Sequence, residues 1–356
     1  MDLRSFIDLL WSHGRLKRIE PEVDWRFEIG RITREHREPL LFENVRGYPG
    51  SRVFTNGLSS PELIALSLGL GSQQGMKEII NAAKNRLQKP LSPVIVDSGP
   101  ILQNIVRADD IDFLELPVPQ WSPRDAGRYL GTWHVNVTKD PETGTRNVGV
   151  YRMQVLGPKH ATVSTSPTSD LGRHVAKAEK TGRALPMAVA IGVSEAVMIA
   201  ASAACPYGYD EYQFAGGLET KPLQLLKCET VDLEIPADAE IAIEGFIQPG
   251  QRVQDGPYLD YAGKANTNPK AFLFEATRMM FRDNPIFRGS SIGLPGAEDH
   301  QVFSLLAHLK LVDFHGRRSR QFVQNPLLRK RLFRPFQLAG RLGGFHPRHW
   351  GPNSAR

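Results

Sequence analysis

The chain has 356 residues, of which 41% are hydrophobic and 23% charged. These proportions are typical of a globular protein with room for two domains, and the chain lacks the run of about 18 apolar residues that a membrane-spanning helix needs. The net charge of +6 is concentrated in residues 316–356, which carry nine Arg, one Lys and no acid. No nucleic-acid-binding motif accompanies this basic tail, so we expect no nucleic-acid partner. Only two cysteines occur, Cys205 and Cys228, which excludes a disulfide framework and indicates a cytoplasmic protein.

The first predicted domain, residues 1–115, has an α/β pattern. From Phe6 onward, apolar residues recur at helical spacing as far as Gly14, which supplies a C-cap. Another helix is predicted to begin after Ser60, because a capping hydroxyl is followed by Pro61 at the first turn.

The second predicted domain, residues 116–300, contains strand-like runs in close succession. Each run is rich in β-branched or aromatic residues and is bounded by turns. These runs are Thr132–Thr138, Asn147–Leu156, Ala161–Thr165, Pro186–Gly192 and Glu240–Ile247. Several short strands in sequence predict a sheet closed into a β-barrel. A helix is predicted over Asp170–Lys180, and residues 301–356 are predicted to form a helix and a basic tail. The overall class is therefore α+β.

Three segments place polar residues in the predicted barrel. Asn147 and Arg152 lie five residues apart on one predicted strand, so they face opposite sides unless a bulge intervenes. Glu211 follows a run of small residues, and Asp255 and Asp260 lie five apart on a turn. Oxygen ligands suit Mg or Mn, and an Arg with two carboxylates suits a site that orients a carboxylate and moves a proton. The residues alone favour simpler roles: a hairpin cap for Asn147, a surface ion pair of Arg152 with Glu211, and a turn at Asp255, because single carboxylates have no distinguishing spacing.

The order and spacing of several longer motifs resemble those of the UbiD family of decarboxylases. The motifs are DLRSFIDLLWSHGRLKRIEPEVD (2–24), LLFENVRGYPG (40–50), TKDPETGTRNVGVYRMQ (138–154), LPMAVAIG (185–192), DEYQFAGGL (210–218), VDLEIPADAEIAIEGFI (231–247) and DGPYLDYAG (255–263). The resemblance extends from Met1 to about Phe314. It implies reversible, non-oxidative decarboxylation of an aromatic or α,β-unsaturated carboxylic acid. It also implies that prenylated FMN is bound on a split β-barrel like that of flavin reductases.

The same resemblance assigns a metal site. Asn147, Asp170 and Glu211 would bind the divalent metal, Mn or Mg, that holds the flavin phosphate. Asp170 occupies a position where the family often has His, and aspartate is also a competent oxygen ligand. His174, one turn further along, is expected on the surface of the predicted helix. A potassium ion would lie beside Glu211, largely on backbone carbonyls.

The resemblance also assigns cofactor and catalytic contacts. The segments expected to line the flavin contain Val150, Tyr151, Arg152, Ser164, Thr165, Ser166, Ser169 and Asp170. Arg152, Asp255 and Asp260 match the acid–Arg–acid network of the family, in which the first acid is usually Glu. The flavin would act as the electron sink when carbon dioxide leaves. Arg152 would orient the substrate carboxylate, and Asp260 would protonate the carbon that lost it.

The resemblance fades after about residue 316, where full-length members continue into a second α/β domain, so we expect a shortened C-terminus. Two alternatives stay open. A non-catalytic subunit or scaffold of a multi-subunit carboxylase is favoured by the absence of that closing domain, and a flavin-binding redox barrel is disfavoured by the metal set. The expected partners are the acid substrate, a flavin prenyltransferase that supplies the cofactor, and further copies of the chain in a homo-oligomer.

Overall fold

The structure, a computed structural model, describes residues 1–203, 205–293 and 296–309. Residues 1–306 form one compact unit. The second unit begins at residue 307, and most of it, with most of the predicted tail, lies outside the described residues. Within the described ranges, no helix is both long enough and apolar enough to cross a membrane.

Two helix starts predicted from the sequence, at Pro61 and at Asp170, are confirmed. Ser60 accepts a hydrogen bond from the Leu63 N–H at 3.4 Å, directly before Pro61, and this confirms the predicted start. The predicted helix Asp170–Lys180 is confirmed over its whole length, with Ser169 as its N-cap. The helices are α1 Leu3–Ser12, α2 Glu28–Glu35, α3 Pro61–Ser67, α4 Met76–Leu87, α5 Asp170–Lys180, α6 Glu195–Ala201, α7 Glu211–Glu219 and α8 at residues 298–309. Short 3₁₀ helices cover Pro100–Gln103, Ala108–Asp110 and Phe113–Glu115.

The strands follow most of the predicted runs. One predicted strand, Asn147–Leu156, is instead two strands separated by residues 150–152. The strands are β1 Lys17–Ile19, β2 Leu40–Phe42, β3 Arg52–Thr55, β4 Val94–Ile95, β5 Asn104–Arg107, β6 Tyr129–Gly131, β7 His134–Lys139, β8 Arg146–Gly149, β9 Met153–Gln154, β10 His160–Val163, β11 Leu185–Ile191, β12 Gln224–Lys227, β13 Glu234–Pro236, β14 Ile241–Leu259, β15 Ala265–Phe281 and β16 Ile286–Arg288.

The largest sheet of the described residues is antiparallel and has seven strands, in the order β10-β15-β14-β11-β7-β8, with β5 also paired to β15. Val189, Ile243 and Met279 lie side by side on β11, β14 and β15 and are at most 1% exposed, so this face forms the core. The pairing of β14 with β15 contains several register shifts, and such bulges bend and twist long strands. The fold is therefore mixed α/β around a bent antiparallel sheet.

Three smaller sheets accompany it in the described residues: β1-β2-β3-β16, β13-β12-β4 and the pair β6-β9. A buried ion triad ties the first of these to two helices. The Arg288 guanidinium, 1% exposed, pairs with Glu195 of α6 at 2.8 Å and with Glu298 of α8 at 2.6 Å. Glu298 also accepts the backbone N–H groups of Asn56 and Leu58. This triad fixes the start of α8 against the N-terminal part of the chain.

Candidate active site

A cavity of about 620 Å³ lies where the ends of β8, α5, α6 and β14 meet. Most of the candidate residues from the sequence line it, although they come from segments far apart in the chain. Those that line the cavity are Asn147, Val150, Tyr151, Arg152, Ser164, Ser169, Asp170, Glu211 and Asp260. The fold thus brings the polar segments of the sequence together in one place.

The interruption between β8 and β9 explains how Asn147 and Arg152 reach the same cavity. Strict strand alternation would place these two side chains on opposite faces. Residues 150–152 belong to neither strand, so the alternation is broken between them. The interruption of the strand, rather than a bulge within it, therefore allows both side chains to reach one cavity.

Arg152 is held by a buried carboxylate. Its Nε donates to Asp255 Oδ1 at 2.6 Å, and its Nη2 also contacts that oxygen. Asp255 is fully buried, and Thr162 Oγ1 donates to its other oxygen at 2.6 Å. Arg152 Nη2 also donates to the Asn266 carbonyl at 3.2 Å. Asp255 is not among the residues that line the cavity, so it can act only through Arg152, by charge-assisted hydrogen bonds.

Asp260 lies on the cavity wall, directly after the last residue of β14. Its Oδ1 accepts hydrogen bonds from the backbone N–H groups of Ala262 and Lys264, at 2.9 and 3.0 Å. Its Oδ2 is bonded to the side-chain amide of Asn266. Both oxygens of Asp260 therefore accept hydrogen bonds from groups within the six residues that follow it.

Glu211 is a buried carboxylate at the start of α7. Its Oε2 accepts the Val148 N–H at 2.8 Å. Burial, together with the charges of Asp210 and Asp170, raises the pKa of Glu211 to about 7, although the bond from the Val148 N–H acts in the opposite direction. Burial also raises the pKa of Asp170. Asp170 is partly exposed and lies 3.7 Å from Arg173 Nη1, whose charge lowers its pKa against the effect of burial.

Asn147 completes this polar corner of the cavity. Its buried Nδ2 has no hydrogen-bond partner within the described part of the chain, which is costly unless a ligand or water supplies one. Among the described residues, no group of three or more His, Cys, Asp or Glu side chains could hold a metal ion. The predicted metal set differs in composition, since it has two acids and one amide. Asn147, Asp170 and Glu211 line one cavity, and their side-chain oxygens are of the type that a hard cation binds.

The loop before α5 uses its hydroxyl groups mainly to support itself. Ser169 Oγ accepts the Gly172 N–H at 3.0 Å and is 2.7 Å from Thr165 Oγ1. Ser166 Oγ is bonded to Thr168 Oγ1 at 2.9 Å. Of the predicted flavin contacts in this loop, Ser169 lines the cavity, whereas Thr165 and Ser166 are not among its lining residues.

The expectation that His174 lies on the helix surface is wrong. His174 is 2% exposed, its Nδ1 is 2.9 Å from Thr138 Oγ1, and burial lowers its pKa to about 4. It belongs to the buried stripe of α5, whose spacing of three, four and seven residues is typical of an amphipathic helix. The members of this stripe are Leu171, His174, Val175 and Ala178.

Three functional candidates were missed from the sequence. Thr162 braces Asp255, as described above. Asp125 is buried, accepts the Leu259 N–H at 3.0 Å next to Asp260, and has its pKa raised by burial. Asp299 lines the cavity, and its buried Oδ2 has no partner within the described residues. No spacing signal identifies any of them, because only the fold brings Thr162 and Asp125 to their distant partners and Asp299 to the cavity wall.

Comparison with known proteins gives two family matches. Residues 94–295 match UbiD, described as 3-octaprenyl-4-hydroxybenzoate carboxy-lyase Rift-related domain, and residues 7–83 match the N-terminal domain of the same carboxy-lyase. The chain is 30% identical to pyrrole-2-carboxylic acid decarboxylase of Pseudomonas aeruginosa, over 88% of this chain and 66% of that protein. It spans 64% to 71% of the length of the curated relatives it matches.

Solved structures of related enzymes have a fold similar to that of this chain. The UbiD-class enzyme HmfF of Pelotomaculum thermopropionicum, in complex with prFMN, gives a TM-score of 0.81 at 33% identity, covering 88% of this chain and 72% of that one. Vanillic acid decarboxylase of Sedimentibacter hydroxybenzoicus gives a TM-score of 0.82 at 30% identity, covering 86% of this chain and 67% of that one.

Proposed function

The chain belongs to the UbiD family of carboxy-lyases, and from this premise we propose that it is a non-oxidative decarboxylase that uses prenylated FMN. The observation that carries the proposal is Arg152, which lines the cavity while Asp255 fixes it from behind and Asp260 lies on the same wall. Its relatives include decarboxylases of pyrrole-2-carboxylic, phenolic and vanillic acids, which favours an aromatic or α,β-unsaturated acid as substrate.

The cavity wall has the groups that such a cofactor requires. Asn147, Asp170 and Glu211 would hold a Mn or Mg ion against the flavin phosphate, because they line one cavity and a cation would compensate the charge of the two carboxylates. Residues 150–152 would follow the flavin ring, and the bent antiparallel sheet would serve as the flavin-binding split barrel. A potassium ion would lie beside Glu211, where Ala201 at the end of α6 and the nearby Ala203 also line the cavity.

Each polar residue of the site has a separate role in the proposed decarboxylation. When bound, prenylated FMN would supply the electron sink for the departing carbon dioxide. Arg152 binds the substrate carboxylate by charge-assisted hydrogen bonds and directs its carbon–carbon bond toward cleavage. Asp255 keeps the guanidinium in place. Asp260 then donates a proton to the carbon that has lost the carboxyl group, so one C–C bond is replaced by one C–H bond.

The test is purification after co-expression with a flavin prenyltransferase. We expect a visible flavin absorption band, one divalent metal per chain and carbon dioxide release from aromatic or unsaturated acids. Glu211→Gln should purify with little flavin, whereas the control Asp232→Asn, at an exposed position, should retain it. A parent protein without flavin would refute the proposal.

The same preparation separates the alternatives. Flavin reduction by a nicotinamide donor without carbon dioxide release would support a redox barrel. Carbon dioxide release only after addition of a partner chain would support a subunit or scaffold of a larger carboxylase. One HmfF structure is of a dimeric form, and we propose that this chain also forms a homo-oligomer, which sedimentation analysis would detect.

A further inference from the structure

Residues 150–152 belong to no strand, yet both the backbone N–H and the carbonyl of Tyr151 are hydrogen-bonded. In the register of β7 and β8, Asn136 pairs with Gly149, so a continued ladder would pair Tyr151 with His134. Side chains of β7 make these bonds instead. The Tyr151 N–H donates to Asn136 Oδ1 at 3.0 Å, and the Tyr151 carbonyl is 3.0 Å from His134 Nε2. The chain therefore leaves the plane of the sheet and lies over the face that carries these two side chains.

These two side chains are polar exceptions in an apolar layer. His134 and Asn136 lie two residues apart on β7, so they share a face, and both are fully buried. Their neighbours on β11 are Ile191 and Val189, which belong to the hydrophobic core. A buried polar group in such a layer is costly unless it is hydrogen-bonded. The backbone of Tyr151 provides a partner for one polar atom of each, whereas His134 Nδ1 is buried without a partner among the described residues.

The geometry admits one arrangement of the imidazole. Because Nε2 faces a carbonyl, it must carry the proton, and burial lowers the pKa of His134 to about 4, so the ring stays neutral. The ring packs against the backbone of Gly131, where a Cβ would lie 2.3 Å from its Cε1 atom. The Tyr151 ring likewise packs over Gly149, where a Cβ would lie 2.6 Å from it.

We infer that His134 and Asn136, here called the Tyr151 clamp, are positioning residues for the flavin, an inference that rests on the proposed function. A trans peptide carries its N–H and C=O on opposite sides, and the peptide bonds of Tyr151 are trans. Holding the Tyr151 N–H and carbonyl against β7 therefore turns the Val150 carbonyl and the Arg152 N–H away from it. Both residues line the cavity. The clamp thus presents an acceptor and a donor that match the amide-type edge of a flavin ring.

The test compares clamp variants with a variant that loses a different buried hydrogen bond on the same strand. Asn136→Leu and His134→Phe each remove one bond to Tyr151. The control is Thr138→Val, because Thr138 is also fully buried on that face but is bonded to His174. Hydrogen exchange of the flavin-free protein is the first measurement. The Tyr151 amide should be protected in the parent and in Thr138→Val, and exposed in Asn136→Leu.

The second measurement is titration with FMN alone, followed by flavin fluorescence and by the visible absorption band. Residues that orient the ligands of a metal from behind typically contribute about 10-fold to 100-fold to metal affinity, and the Tyr151 clamp would support flavin contacts in the same indirect way. We expect losses of that size and a shifted band in both clamp variants, with unchanged affinity in Thr138→Val. His134→Gln, which keeps a side-chain N–H donor, should recover part of the affinity.

The outcomes distinguish the clamp from the function. If the parent binds no FMN but Asn136→Leu still exposes the Tyr151 amide, the proposed function fails and the structural clamp stands. If Asn136→Leu and Thr138→Val have the same amide exchange and the same FMN affinity, the clamp is overturned. Equal losses of affinity that follow the melting temperature in all variants would also overturn it.

Discussion

Glu211 gives the most quantitative prediction, because its carboxyl group is buried and its pKa is raised into the neutral range. Its pKa is raised from an ordinary 4.5 to about 7, chiefly by burial. A difference of one pKa unit corresponds to about 1.4 kcal/mol between the protonation states. Ionised Glu211 therefore destabilises the metal-free protein by about 3 kcal/mol.

The direction of the pH dependence follows from the pH at which the folded and unfolded states each release the Glu211 proton. The folded chain keeps it up to about pH 7, whereas the unfolded chain releases it near pH 4.5. Between these values the folded state binds more protons, so the free energy of unfolding falls as the pH rises. In chelator-treated protein, we expect a loss of about 2 to 3 kcal/mol between pH 5 and pH 8.

Urea unfolding at the two pH values measures this loss, and the parent is compared with Glu211→Gln, which cannot ionise. Subtracting the pH dependence of Glu211→Gln from that of the parent removes the contributions of titratable groups that both proteins share. Asp238→Asn is the matched control, since burial raises the pKa of Asp238 to about 6 and this residue does not line the cavity. Added Mn²⁺ should stabilise the parent and Asp238→Asn at pH 8, but not Glu211→Gln.

Two results would refute this reasoning. An identical pH dependence in the parent and in Glu211→Gln would show that Glu211 is not a buried acid of raised pKa. Equal stabilisation of Glu211→Gln by Mn²⁺ would show that the ion binds elsewhere.

Three further predictions concern the catalytic residues and the ion triad. Asp260→Asn should lower carbon dioxide release by about 10²-fold to 10⁴-fold while flavin absorption is retained; release at the parent rate would exclude Asp260 as proton donor. Asp255→Ala should raise the KM for the acid because Arg152 loses its partner, whereas Asp255→Glu should preserve it, and equal KM values in both would contradict the assigned role. Arg288→Met should cost about 3–5 kcal/mol in urea unfolding, since it leaves Glu298 buried without a cation; a shift below 1 kcal/mol would show that the triad is not buried in solution.

Local patterns in the sequence determined much of the secondary structure. The capping residues and apolar stripe of α5 fix a helix whose ends agree with the prediction, because helix boundaries depend on hydrogen bonds within one turn. The runs that became β7, β10 and β11 were predicted near their observed bounds by their β-branched composition. Segment order and spacing also pointed to the family, which the comparisons confirm.

Only the tertiary structure decided which polar residues meet. At the break at residues 150–152, two side chains of β7 form hydrogen bonds with Tyr151. No local sequence pattern predicts such a contact. Thr162 reaches Asp255 across the sheet, and His174 is buried because α5 packs its stripe inward. These contacts join residues that are distant in the chain. Their geometry depends on the bending of the sheet and on core packing, whereas local propensity acts only over a few neighbouring residues.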